Sequence, residues 1–217
     1  MKKQTILLII VLAALVGGCG FKSEVQGSGN VITENRNVSG IKSVGLAGDG
    51  KLEIEQTGTE SLTITADDNI LPLIKSEVRN GQLLLGENRD FSHDAEQRVR
   101  YKLTVKDLNE IGLAGDGSVD AKNIATSRLR VSISGDGVIR AAGNADSQDI
   151  SISGDGAYEA ADLNSKDAEV HISGDGRTTI AVSGKLKADI SGDGTVEYIG
   201  DPSVDKNISG DGSVRKK

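Results

Sequence analysis

The sequence predicts an all-β fold, a parallel β-solenoid (β-helix) built from coils of 18–20 residues. Two observations predict it: a tripeptide that recurs at a nearly constant interval, and an alternation of apolar and polar residues on both sides of that tripeptide. Self-similarity near a twenty-residue period is typical of solenoids, in which each coil stacks on the next. Gly-Asp-Gly occurs seven times, beginning at Gly48, Gly115, Gly135, Gly154, Gly174, Gly192 and Gly210.

The residues that flank the motif alternate with a period of two, which indicates strands with one buried face. The position two before each motif is always apolar: Leu46, Leu113, Ile133, Ile152, Ile172, Ile190 and Ile208. The position four before it is apolar in six copies and lysine in the last: Val44, Ile111, Val131, Ile150, Val170, Ala188 and Lys206. The alternation resumes after the motif, with Leu52, Val119, Ile139, Tyr158, Thr178, Val196 and Val214. A helix is excluded, because the period is not 3.6 and each helical glycine costs about 1 kcal/mol.

Stacking makes such a unit stable, because one coil cannot bury its own apolar face. Successive coils about 4.8 Å apart would align the isoleucines as an internal ladder, in which each buried side chain contributes ~2 kcal/mol. We therefore expect Ile172→Asp to break the ladder at its middle. The five steps from Gly115 to Gly210 predict a rod segment roughly 24 Å long.

Each corner carries glycine on both sides of an aspartate. Glycine suits a sharp turn because it adopts positive φ without steric penalty. In register, the aspartates would stack as a column of like charges that must face solvent or collect cations; they are Asp116, Asp136, Asp155, Asp175, Asp193 and Asp211. An exposed turn whose carboxylates accept backbone hydrogen bonds is the favoured interpretation. A calcium ladder is the alternative, and calcium titration of the melting temperature would test it.

The N-terminus has the regions of a secretory signal peptide. Lys2 and Lys3 precede an apolar run over residues 6–16, and two glycines then lead to Cys19, the only cysteine in the chain. The run of 11 residues is short of the ~20 that a membrane-spanning helix needs. We therefore predict a signal peptide over residues 1–18.

Val16–Cys19 resembles the lipobox of bacterial lipoproteins, in which the signal peptidase cuts before the cysteine. The resemblance implies cleavage after Gly18 and a lipidated Cys19 that anchors the protein to a membrane by burial of its acyl chains. Gly20 is compatible with an outer-membrane lipoprotein, facing the periplasm or the cell surface. Residues 19–30 are predicted to form a linker from the lipid.

The composition excludes several classes of partner. Removal of residues 1–18 takes two lysines, so that 23 basic residues face 32 acidic ones and the net charge is −9. Such a chain repels nucleic acid and anionic lipid. It has no tryptophan, three tyrosines and two phenylalanines, so that it offers few platforms for stacking bases or sugars.

Residues 31–217 are predicted to form one solenoid domain with two parts. The regular repeats cover 111–217, and irregular, wider coils are expected over 31–110. Within that first part Asn80-Gly81 predicts a tight turn, and residues 87–98 form a charged excursion.

Four features together resemble the bacterial family named putative auto-transporter adhesin, head GIN domain. They are the lipobox, the strand that ends in Asp67–Leu71, the turn Asn80–Leu83 and the serial Ile-Ser-Gly-Asp-Gly coils. The resemblance covers roughly residues 31–215. It implies a right-handed parallel β-helix, a trimeric homo-oligomer and an adhesin-like role. The tripeptide Gly-Ile-Asn itself does not occur, since the corners read Gly-Asp-Gly.

No catalytic, cofactor-binding or metal-binding residue is predicted. His171 occupies an outward strand position that holds serine, aspartate or asparagine in other copies, and His93 lies in the charged excursion. We therefore expect a non-enzymatic envelope lipoprotein, an adhesin-like or structural module that binds a protein or glycan. A carbohydrate-active β-helix enzyme and a cation-binding scaffold are the alternatives. At least three charged groups that converge in one groove, outside the corner column, would favour the enzyme. An uncovered apolar side would favour self-association.

Overall fold

The computed structural model describes residues 24–87, 92–93 and 99–217. They form a parallel β-solenoid of about 5 turns, which confirms the predicted fold class. The predicted signal peptide, Cys19 and the beginning of the predicted linker lie outside the described residues, as does most of the charged excursion. Within the described residues, no helix is long and apolar enough to cross a membrane.

Seventeen strands and one short 3-10 helix make up the described chain. The N-terminal part holds β1 (Glu24–Val25), β2 (Val31–Arg36), β3 (Ser43–Ala47), β4 (Lys51–Gln56), β5 (Ser61–Asp67), the 3-10 helix η1 (Leu71–Leu73), β6 (Ile74–Arg79), β7 (Gln82–Glu87), β8 (Ser92–His93) and β9 (Arg100–Val105). The coil array holds β10 (Glu110–Ala114), β11 (Ser118–Ser134), β12 (Val138–Ser153), β13 (Ala157–Ser173), β14 (Arg177–Ser191), β15 (Thr195–Ile199), β16 (Ser203–Ser209) and β17 (Ser213–Lys216).

Each long strand, from β11 to β14, leaves one Gly-Asp-Gly corner and runs into the next. We call the strands that run into the corners the front sheet: β7, β3, β10, residues 128–134, 147–153, 167–173 and 185–191, and β16. We call the strands that leave the corners the back sheet: β9, β4, the first residues of β11 to β14, β15 and β17. All of these neighbours pair in parallel, as stacked coils require.

The coils stack in the register that the repeat predicts. Ile133 pairs with Ile152, Ile152 with Ile172 and Ile172 with Ile190. Their side chains, with those of Leu46 and Leu113, are at most 3% exposed. The internal ladder is therefore present, and it forms one wall of the hydrophobic core.

The two glycines of each corner have different roles. The first has a φ between +104° and +125° in all seven copies, a region that favours glycine. The second is required by close packing: a Cβ built at Gly156 would lie 2.5 Å from Ile133 Cγ2 and 2.9 Å from the Gly137 carbonyl oxygen. The expectation that both glycines serve for positive φ thus holds only for the first.

The N-terminal part departs from the coil pattern. The corner at Gly48 stacks directly on the next corner along the rod, where Gly117 N–H donates to Gly48 O over 3.1 Å. The chain between the two corners includes antiparallel pairs, β5 with β9 and β6 with β7, and β5 also pairs antiparallel with β2. Over residues 31–110, antiparallel strands are thus added beside β3, β4, β7 and β9, which pair in parallel and continue the two sheets. The predicted turn joins β6 to β7, with φ of +51° at Asn80 and +82° at Gly81.

Candidate functional site

A groove of about 990 Å³ runs along the outer surface of the front sheet. It exists because the outward positions of these strands carry small residues, which keep the floor close to the backbone. One column of the floor is Ala47, Ala114, Ser134, Ser153, Ser173, Ser191 and Ser209, and the next begins with Gly45, Gly112, Ser132 and Ser151. The groove crosses eight strands from β7 to β16, which corresponds to about 34 Å.

The two ends of the groove differ in chemistry. At the N-terminal end, the hairpin of β6 and β7 contributes Lys75, Glu77 and Leu84, and the Leu84 side chain is 41% exposed. At the other end, the second column continues with His171, Asp189 and Asn207. Both ends of the groove therefore carry charged residues, and the N-terminal end adds an exposed apolar side chain.

Four charged or titratable side chains meet at that C-terminal end, and we call them the His171 quartet: Glu169, His171, Lys187 and Asp189. The Lys187 ammonium lies 2.7 Å from Glu169 Oε1 and 3.2 Å from Asp189 Oδ2. The His171 ring lies between the same carboxylates, with Nε2 3.3 Å from Glu169 and Nδ1 3.4 Å from Asp189. The four side chains are 31–51% exposed.

Only His171 and Asp189 line the front-sheet groove, and Glu169 and Lys187 lie beside it, so that the quartet meets the criterion of convergence only in part. Its electrostatics do not suit acid–base catalysis. Hydrogen bonds from Lys187 lower the pKa of Glu169 and of Asp189. Hydrogen bonds to Glu169 and Asp189, in that order, raise the pKa of Lys187. Both carboxylates are thus held ionised and the amine protonated, whereas a general acid or base needs a pKa shifted toward neutrality.

The same residues could offer ligands to a metal ion. One ligand atom each from Glu169, His171 and Asp189 lies within 4.8 Å of the others. The Lys187 ammonium already lies between the two carboxylates and offsets half of their charge, so that an ion would have to displace it. The arrangement is that of a surface ion-pair network.

The corner aspartates form the predicted column, which the structure extends by one residue. Because β3 pairs with β10 in register, Asp49 continues the column beyond Asp116. All seven side chains are exposed, as the interpretation of a solvent-facing turn requires. At the last corner, Asp193 Oδ1 accepts a hydrogen bond from the Asp211 N–H over 3.2 Å.

The residues singled out by sequence have different outcomes. His171 lies at the outward position expected of it, but with charged neighbours that the sequence reasoning missed. The signal was available: Glu169 and His171 precede their motif by five and three residues, and Lys187 and Asp189 do the same one coil later. His93 lies in β8, beside β1, and its side chain is outside the described part, as is Cys19.

The exposed apolar side chains do not form a continuous side of the rod. The large ones among the described residues are scattered between the two ends: Val31, Ile32, Leu84, Ile199 and Val204. They do not indicate lateral self-association through an apolar face.

Solved structures share this fold. A crystal structure of a putative adhesin from Bacteroides fragilis has a TM-score of 0.70 and 23% identity, with 88% of this chain and 98% of that chain covered. A putative lipid binding protein from Parabacteroides distasonis has a TM-score of 0.62 and 22% identity, with coverage of 90% and 100%. A putative adhesin from Parabacteroides merdae has a TM-score of 0.53 and 23% identity, with coverage of 89% and 99%. At these identities the likeness concerns the fold.

No match was found among curated proteins. A family pattern, described as putative auto-transporter adhesin, head GIN domain, matches residues 40–202. This range includes both sheets except for β16 and β17, six of the seven corners and the His171 quartet. The chain therefore belongs to the family of the putative auto-transporter adhesin, head GIN domain.

Proposed function

We propose that this protein is a non-enzymatic, adhesin-like lipoprotein of the cell envelope that binds an extended ligand along the front-sheet groove. The observation that carries the proposal is the groove itself, about 990 Å³ with a floor of small side chains that spans successive coils. A straight, shallow floor suits a chain that lies flat and bonds to repeated groups. The serine column offers a hydroxyl in each of five successive coils, at a spacing of about 4.8 Å.

The ligand that these features favour is an extended polymer with polar groups along its length, a glycan or a peptide strand. Few aromatic residues are present, so that recognition would rest on hydrogen bonds rather than on ring stacking. The relative from Parabacteroides distasonis is named for lipid binding, and the exposed Leu84 offers one apolar contact at the N-terminal end. A lipid is therefore the first competitor to include in a binding screen.

The test is to block the groove without disturbing the coil. Ser153 lies on the exposed floor, and Ser153→Arg would place a long side chain across it. Ser127→Arg, at an exposed position outside the groove, is the matched control. We expect the first variant to lose binding to host glycans, matrix proteins or bacterial cells, and the control to retain it. Equal binding by both would contradict the proposal.

Attachment to the envelope rests on Cys19 and the predicted signal peptide. Membership of an adhesin family supports a location in the envelope or at the surface. Metabolic labelling with a fatty acid should mark the wild-type protein and not Cys19→Ser. Protease treatment of intact cells would then distinguish the two faces of the outer membrane, and a wholly periplasmic location would contradict the adhesin role.

A carbohydrate-active enzyme is the second candidate, because the His171 quartet brings four groups together, two of which, His171 and Asp189, line the groove. Its test is the release of new reducing ends or unsaturated sugars from a panel of polysaccharides. Turnover by the wild type that is lost in Asp189→Asn would establish it. The ionised carboxylates described above are the reason to expect no turnover.

A further inference from the structure

Two inward columns of the solenoid change from apolar residues to lysine in the coil formed by β16 and β17, which is the last described one. In the front sheet, one inward column runs through Ile150, Val170 and Ala188, all buried, and reaches Lys206. Five of the six members that precede Lys206 are valine or isoleucine, and the sixth is alanine. A lysine at this position would be buried if another layer of strand lay against it.

The back sheet repeats the same change. Its inward column runs from Ala160 and Ile180, each 0% exposed, to the partly buried Tyr198 and then to Lys216. Lys216 is exposed and its ammonium pairs with the Asp201 carboxylate. Two separate columns thus carry a lysine in the same coil, which the repeat alone does not require.

This coil also has the features of a sheet edge that is prone to aggregation. Among the described strands, β16 pairs only with β14, and β17 only with β15, so that each presents unpaired backbone groups. The neighbouring inward positions remain apolar, with Val204 37% exposed and Ile208 and Val214 partly buried. An open strand edge with apolar side chains is a template for pairing with another chain.

We propose that Lys206 and Lys216 prevent a second copy of this chain from pairing its own edge strand with this edge of the solenoid. An antiparallel pairing of two β16 strands centred on residue 206 would place Val204 opposite Ile208, a favourable apolar pair. It would also place Lys206 opposite Lys206 of the other copy, where like charges directly opposite are destabilising. Burial of the ammonium groups adds a desolvation penalty.

The test replaces both lysines and measures the mass of the purified protein by sedimentation over a concentration series. Lys206→Val with Lys216→Val is expected to self-associate about tenfold more tightly than the wild type. Lys185→Val removes one positive charge from an exposed, outward position of the front sheet and should leave the wild-type mass unchanged. Lys206→Arg should also behave as the wild type, because it keeps the inward charge.

Two outcomes would overturn the proposal. One is a double variant that is folded by circular dichroism and has the mass of the wild type at every concentration. The other is a wild type that already associates through this edge, which dissociation by Val204→Lys would reveal. Lateral oligomers formed through the sheet faces would be unaffected by either set of variants, so that the two kinds of assembly are distinguishable.

Discussion

The coil array and the N-terminal part use the same two sheets but are stabilised in different ways. In the coil array, each strand pairs with one about 18–20 residues away, and most inward positions have apolar counterparts in the coils above and below. In the N-terminal part, strands pair in both directions, and single polar contacts hold the loops. The Arg36 guanidinium donates to the carbonyls of Ile74 over 2.8 Å and Leu71 over 3.1 Å, and Glu60 accepts from two backbone N–H groups.

The difference concerns where stability resides. In a ladder, many equivalent contacts contribute to stability. Equivalent positions are therefore expected to respond alike to substitution. The stability of the N-terminal part depends on contacts that occur only once, made by a few residues without counterparts in other coils. Four substitutions sharpen this comparison.

The largest effect is expected for Ile172→Asp, at the middle of the ladder. It would bury a carboxylate between Ile152 and Ile190 without a partner, and we expect the free energy of unfolding to fall by more than about 4 kcal/mol. Ile32→Asp, at a 40% exposed position of β2, should change it by less than about 1 kcal/mol. Urea unfolding of both variants measures the difference, and similar losses would mean that the ladder is not the core.

The corner glycines come next. Gly156→Ala would force a methyl group to 2.5 Å from Ile133 Cγ2, and overpacking of this kind costs about 2–3 kcal/mol. Gly58→Ala, in a turn of the N-terminal part with φ of +82° and nothing within 4 Å of the new Cβ, should cost only about 1 kcal/mol for the backbone strain. Thermal unfolding compares them, and a smaller loss at Gly156 would show that the corner can relax.

A buried polar network interrupts the apolar interior of the coil array. The Tyr158 hydroxyl donates to Gln148 Oε1 over 2.8 Å, and Gln148 Nε2 donates to Ser165 Oγ over 2.8 Å. Tyr158→Phe would leave the Gln148 carbonyl oxygen without that partner, at a cost of about 1–2 kcal/mol. Adding Gln148→Leu should recover most of the loss, since both partners of that hydrogen bond are then gone and Ser165 Oγ still donates to the Ala181 carbonyl over 2.9 Å. A further loss would indicate that the network is needed for packing.

The smallest effect, and one that depends on pH, is expected at Glu60 in the N-terminal part. Its carboxylate accepts from Ile41 N–H over 2.7 Å and from Gly40 N–H over 3.1 Å, and these bonds lower the pKa of Glu60. Because the pKa is lower in the folded state, the stabilisation is present above the unfolded pKa and is lost as the pH falls through the folded pKa. Glu60→Gln should therefore cost about 1 kcal/mol at neutral pH and less in acid.

The control for this experiment is Glu77→Gln, at an exposed position of β6. It removes a surface ion pair with Arg79 and should change stability by no more than about 0.5 kcal/mol. Chemical unfolding from pH 7 to pH 3 compares the two variants. A constant difference across that range would exclude a role for ionisation of Glu60.

Most of the coil array could be predicted, because its signals are local and repeated. Two apolar positions before each corner, such as Ile172 and Val170, indicated the inward face, and the recurring motif indicated the register. The direct stacking of the corners at Gly48 and Gly115 could not be predicted. Sixty-seven residues separate them, and no periodic pattern shows that the intervening strands turn back as antiparallel pairs.

The candidate site was predicted less well, for a related reason. The small outward residues are visible in the sequence, but a groove exists only when eight strands lie side by side, with residues of the β6–β7 hairpin lining one end. The His171 quartet likewise depends on an 18-residue step that aligns Glu169 with Lys187 and His171 with Asp189. Neither pair stands out in the sequence. The four side chains form a cluster only because adjacent coils stack.

By itself, the sequence determined the class of fold, the inward columns and the corners, because each follows from the period of two in a strand and from the steric freedom of glycine. The tertiary structure alone decided which corners are neighbours, how the N-terminal strands pair, where the groove lies and which charges meet. These features join residues that are distant along the chain, and backbone pairing across that distance is settled by packing rather than by any local preference.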